Sequence, residues 1–146
     1  MGVRVQAEPF DLGAEAAAFG RGLPDVGAIV TFSGIVRADG GAMSEMVIEH
    51  YPGMTERALG AIRTEAIARF GLAEALVIHR FGPMRPGDQI MMVATAARHR
   101  ADAFAAAEFL MDYLKSRAPF WKKETRPDGT DWVAARDEDE AALRRW

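Results

Sequence analysis

Apolar and polar positions alternate in short blocks along most of the chain, and the period of each block predicts its element. Val3 to Ala7 reads as a short strand ended by Pro9. Asp11 is placed to cap a short helix through Phe19, weakened by Gly13 and Gly20. The run from Gly27 to Arg37 is apolar and β-branched, which predicts a buried strand. A flexible loop, Ala38 to Ala42, then leads to a partner strand over Met43 to Glu49, with Met46 and Ile48 on one face.

Pro52-Gly53 marks a turn, and helical spacing of Leu59, Ile62, Ala66 and Phe70 predicts a helix over Thr55 to Phe70 with Gly71 as its C-cap. Ala75 to Phe81 and Gln89 to Ala97 read as strands around a Gly82 to Asp88 loop. A second long helix spans about Ala101 to Arg117, its stripe formed by Phe104, Ala107, Met111 and Leu114, widened by Leu110. It must stop near Pro119. Strands over Phe120 to Thr125 and Thr130 to Ala134 flank a Pro127 to Gly129 turn, and Asp137 and Glu140 have capping-box spacing for a last short helix. Strand pairs separated by helices, without a glycine-rich fingerprint after any strand, indicate an α+β fold in one domain over 1–146.

Composition changes the picture mainly by exclusion. At 49% hydrophobic and 27% charged, the chain has the make-up of a folded globular protein. It contains no cysteine, which removes disulfides, thiolate metal sites and a cysteine nucleophile. The three histidines lack metal-ligand spacing. Neither a membrane span nor a signal peptide is legible, so the expected location is the cytoplasm. A net charge of −3 argues against general nucleic-acid binding but leaves room for a local basic pocket. Ser33 lacks the nucleophile-elbow pattern, and no Walker-type phosphate loop appears.

The candidate chemistry therefore lies with arginine and lysine. His99-Arg100 falls where a strand gives way to a helix, either an anion site or a solvated turn. Arg37 ends a strand before a glycine loop, as a phosphate ligand or a plain surface arginine. Lys115, four residues after Met111, either snorkels to solvent or presents its amine into a cleft, where dehydration would lower its pKa. In Phe120-Trp-Lys-Lys-Glu124, strand alternation puts Lys122 and Glu124 on one face and Trp121 and Lys123 on the other. His50 and His79 read as structural.

Several stretches together resemble the catalytic (large) subunit family of molybdopterin synthase: Phe32-Ser-Gly-Ile-Val-Arg37, Glu49-His-Tyr-Pro-Gly-Met-Thr55, Val77-Ile-His-Arg80, Pro86-Gly-Asp88 and the run from Met111 to Glu124. The resemblance runs in order along nearly the whole chain. It implies an α/β-hammerhead type of fold and a homodimer, each copy binding a small ubiquitin-like sulfur-carrier subunit to give a heterotetramer. In the family, that subunit's C-terminal Gly-Gly thiocarboxylate supplies sulfur to cyclic pyranopterin monophosphate, forming the dithiolene of molybdopterin. Carried over by motif, Lys115 and Lys122 are the catalytic lysines. Arg37, His99 and Arg100 hold anions, with the main chain at Ile35 and Val36, and Lys123 and Glu124 flank Lys122 in the substrate-contacting strand. Some of these contacts are expected from the opposite protomer. The family implies no cofactor or metal resident on this chain, and neither a nucleic-acid nor a membrane partner. The loop Ala38-Asp-Gly-Gly-Ala42 departs from the histidine- or asparagine-containing loop of many relatives, so no side-chain role is carried over to it. Two other readings compete on the residues alone: a binding module for phosphorylated pterins or nucleotides without chemistry, and a structural dimerisation protein.

Overall fold

A computed structural model describes residues 2–133 and 137–146. In chain order the elements are β1 (Val3–Gln6), α1 (Leu12–Ala18), β2 (Ala28–Ile35), β3 (Glu45–His50), α2 (Met54–Phe70), β4 (Glu74–Arg80), β5 (Gly82–Met84), β6 (Gln89–Ala97), α3 (Arg100–Ser116), β7 (Phe120–Arg126), β8 (Gly129–Trp132) and α4 (Asp137–Leu143). They build two four-stranded sheets, ordered β1-β4-β6-β2 and β5-β3-β7-β8. All pairings are antiparallel except β1 with β4. This is the α+β class the patterning predicts.

The first sheet is covered on both faces, which is why β4 and β6 read as continuous apolar runs. Ala75, Val77, Met91 and Val93 join the main core with Leu59, Ile62 and Ala66 of α2 and Ala103, Ala106, Phe109 and Leu110 of α3. Leu76, Ile78, Met92 and Ala94 point the other way, against Phe10, Leu12 and Phe19 around α1. Asp11 caps α1 by accepting the Ala14 N–H at 2.9 Å, and Gly71 ends α2 in the left-handed region at φ 63°. The expected shared face of Met46 and Ile48 is buried.

Four expectations need correction. First, β3 is not the partner of β2: β2 pairs with β6, whereas β3 pairs with β5 and β7 in the other sheet. Asp39, Gly40 and Gly41 take positive φ in succession (50°, 66° and 92°), and that turn carries the chain out of the first sheet. Second, β2 is an edge strand rather than a buried one, and it exposes Ile29, Phe32 and Ile35. Third, Gly82 to Met84 is not loop but the edge strand β5, where Pro83 needs no ladder donor. Fourth, the buried face of α3 keeps Ala107 and Leu110 of the predicted stripe, with Met111 and Leu114 packed against the core, but turns away from Phe104. Phe104 is 59% exposed, while Ala103, Ala106 and Phe109 take the core.

The predicted end of the last strand at Ala134 lies outside the described residues, as does the Asp137 side chain on which the capping box rests. Among the described residues no helix is long and apolar enough to cross a membrane.

Candidate active site

A cleft of about 590 Å³ opens where the C-terminal end of α3 and the inner face of β7 meet the end of β2. Its volume suits a small organic ligand. Arg37, Lys115 and Lys122 line it together with Ile35, Val36 and Glu124. Six of the nine residues singled out in the sequence are thus brought to one place, the end of β2 meeting the consecutive elements α3 and β7.

Each cation reaches the cleft for a local reason. Lys115 follows Met111 and Leu114 on α3, and all three border the cleft, so the lysine sits beside the apolar stripe rather than opposite it. Lys122 is set by register. It pairs with Ile48, and Glu124 pairs with Met46, so strand alternation turns both toward the buried face of the second sheet. Arg37 is steered by its neighbour: Val36 is buried, donates its N–H to the Asp88 carbonyl at 2.9 Å and accepts from the Gly87 N–H at 2.9 Å. Arg37 itself projects, exposed, at the cleft edge.

The electrostatics single out Lys122. Its pKa is lowered to about 8, by burial above all and then by the nearby Lys115 through charge and hydrogen-bonding contact, against the opposing pull of Asp139 and Glu124. An amine in that range can both carry charge and exchange a proton near neutral pH. His79 also borders the cleft, stacked on Phe120 at 3.8 Å between ring centroids. Burial, above all, pushes its pKa down to about 3, and its Nδ1 lies 2.8 Å from the Arg80 carbonyl oxygen, so it is a neutral ring under the cations.

Three predicted residues stand elsewhere. Lys123 is on the other face of β7, with its Nζ 4.4 Å from the Trp132 ring centroid. His99 is the N-cap of α3 and Arg100 its first residue; both are exposed and neither lines the cleft of the single chain. Their turn is tightly held. A Cβ on Gly27 would come within 2.4 Å of the Arg98 carbonyl oxygen, so only glycine lets β2 approach there.

The cleft also contains groups that the sequence did not single out as site residues. Phe32, Met91, Met111 and Leu114 give it an apolar side, and Asp39 and Asp139 bring acids to it. The Ser116 hydroxyl, buried next to Lys115, has no protein partner among the described residues and borders the same space. Met111 and Leu114 were legible as neighbours of Lys115 on one helix face. Asp139 comes from α4, and nothing local in the sequence points it toward Lys122. Among the described residues no group of three or more acidic or histidine side chains is arranged to hold a metal. Taken together, the cations, the apolar wall and a proton-exchanging amine suit a small anionic, partly planar ligand.

Comparison with known proteins agrees with the resemblance in the motifs. Residues 5–117 match the MoaE protein family. The molybdopterin synthase catalytic subunit of Cereibacter sphaeroides is 66% identical over 146 residues, covering 100% of both chains. That of Rhizobium meliloti is 54% identical, over 99% of this chain and 94% of the relative. Among solved structures, the molybdopterin biosynthesis MoaE protein from Burkholderia ambifaria superposes with a TM-score of 0.83 at 53% identity, covering 100% of this chain and 98% of that one. Molybdopterin synthase from Staphylococcus aureus gives 0.83 at 28% identity, covering 92% and 98%. With its motifs, its fold and its full-length relatives in agreement, this chain belongs to the MoaE protein family, that of molybdopterin synthase catalytic subunits.

Proposed function

We propose that this chain, folded as one domain over 1–146 and acting in the cytoplasm, is the subunit that carries out sulfur transfer in molybdopterin synthase. The sulfur donor is the thiocarboxylated Gly-Gly tail of a small ubiquitin-like subunit, and the acceptor is cyclic pyranopterin monophosphate. The assembly is a heterotetramer built on a homodimer of this chain. The observation that carries this reading is the meeting of Lys115 and Lys122 in a cleft that also holds Arg37.

In each transfer the thiocarboxylate sulfur attacks an oxygen-bearing side-chain carbon of the pterin, forming a C–S bond as that carbon's C–O bond breaks, the oxygen leaving protonated as water or staying on the opened phosphate ester. Water then cleaves the acyl C–S bond, returning the tail as carboxylate and leaving sulfur on the substrate. The attack brings an anionic tail to a phosphorylated substrate, which Lys115, Lys122 and Arg37 favour by offsetting charge in a partly dehydrated space. Lys122, with its pKa near 8, is the group suited to passing a proton during acyl cleavage. Lys115 fixes the thiocarboxylate. The reacting sulfur arrives on the partner subunit, so a chain without cysteine can perform sulfur chemistry. His99 and Arg100, exposed at the start of α3, serve the site of the opposite protomer, and Lys123 supports the strand from its outer face.

Lys115→Ala tests the assignment. It is expected to lower sulfur transfer at least about 100-fold, the scale of a lost proton-transfer or charge-stabilising group. Binding of the thiocarboxylated subunit, followed by calorimetry, should weaken by less than about tenfold. Turnover within a few fold of the unmodified chain would remove Lys115 from the mechanism.

A further inference from the structure

The cleft that gathers three cations also gathers three acids, Asp39, Glu124 and Asp139. In a site for anions a carboxylate is a competitor: it occupies the same cations and repels the ligand. Two of the three are well placed to do so. Asp39 lies two residues from Arg37 and feels its charge, and Glu124 lies two residues from Lys122 on the same strand face and feels Lys122's.

Arg126, at the end of β7 and outside the cleft lining, holds both of them. Its Nη2 donates to Asp39 Oδ2 at 2.5 Å and to Glu124 Oε2 at 2.6 Å, and its Nε donates to the same Glu124 oxygen at 3.1 Å. Hydrogen bonding to Arg126 is the largest cause holding the Asp39 carboxyl below its ordinary range, ahead of any effect of Arg37. A single nitrogen, Nη2, bridges the carboxylate on the strand and the one on the separate loop, and Nε adds a second donor to Glu124 that an ammonium, with its donors on one atom, would not place there. The geometry also needs Asp39 in place. Asp39 is the one residue other than glycine with positive φ among the described residues, in a turn closed by Gly41 and Met43 N–H groups that both donate to the Ala38 carbonyl at 3.0 Å.

We propose that Arg126 is a positioning residue which sequesters Asp39 and Glu124, leaving Arg37 and Lys122 free for the phosphate and thiocarboxylate of the ligands. This rests on the reading of the cleft as an anion site. It gives the loop 38–42 a role: Asp39 ties it to β7, so the segment that follows Arg37 is held clear of the cations.

Inorganic phosphate is the probe, titrated into the full chain while the Arg37 side-chain Nε–H and the main-chain amides of residues 35–37 are followed by NMR. Three proteins are compared: the unmodified chain, Arg126→Gln, and Arg126→Gln combined with Asp39→Asn. Arg126→Gln is expected to weaken phosphate about tenfold, the equivalent of one charge-assisted hydrogen bond returned to a competitor. Adding Asp39→Asn should recover part of that loss, because one of the two released carboxylates, the one nearer Arg37 in the chain, is gone. Steady-state sulfur transfer should show the same order in KM for the phosphorylated pterin, with kcat within about twofold. Phosphate affinity within twofold of the unmodified chain in Arg126→Gln would overturn the inference. So would a double variant no better than the single one, since the released Asp39 would then not compete for the cations. Sulfur transfer failing in the unmodified chain while the phosphate series behaves as expected would overturn the proposed function and leave this inference standing.

Discussion

Lys122 shows how one side chain carries both the chemistry and its cost. Strand register turns it inward beside Ile48, and burial with Lys115 nearby lowers its pKa from 10.5 to about 8. The unfolded chain keeps that proton up to the higher value, so between pH 8 and 10.5 the unfolded state binds more protons and stability rises with pH. The full penalty of the buried ammonium is therefore present below pH 8. Lys122→Met is expected to raise the unfolding free energy by on the order of 2 kcal/mol at pH 7, with the gain fading toward pH 10.5. Urea denaturation at both pH values checks this; an equal gain at each would mean that the lysine is not held against its charge. The same variant should lose sulfur transfer, as expected where stability is given up for function.

At the scale of elements, α3 fixes the site. It carries Lys115 near its end and is anchored by Phe109, which is fully buried against Phe70, Tyr113 and Trp146. Phe109→Ala is expected to cost about 3–5 kcal/mol, measured by denaturant unfolding, through lost burial and the cavity left behind. A cost below 1 kcal/mol would mean that the helix is held elsewhere. Most of this level was legible in the sequence, because periodicity and capping are local. Leu59, Ile62 and Ala66 of α2 and the Gly71 cap follow directly from spacing. What was not legible is pairing. Nothing in β2 or β3 says that they part into different sheets; the separation depends on three successive left-handed residues at Asp39 to Gly41, one of which is not glycine. The exposed apolar residues of β2 likewise look like core until the strand is seen to be an edge. Lys115 and Lys122 were found because a helix stripe and a strand face are local patterns. Asp39, Asp139 and Arg126 were not, because their roles depend on which distant element they meet.

For the whole molecule, the cleft of one chain contains Arg37, Lys115 and Lys122 but not His99 or Arg100. If those two serve the partner's site across a two-fold axis, separately inactive variants should complement each other. Co-refolded Lys115→Ala and Arg100→Ala chains would place one intact site in each mixed dimer, restoring about a quarter of full turnover at equal mixing. No recovery above either variant alone would place Arg100 in its own chain's site or outside the mechanism. The central claim is most directly tested by reconstitution: the purified chain, its small subunit prepared as thiocarboxylate, and cyclic pyranopterin monophosphate, with products followed by mass spectrometry. The account predicts a pterin product that has gained two sulfurs, with the small subunit returned as carboxylate. A small subunit that binds yet keeps its thiocarboxylate, with the precursor unchanged, would contradict it.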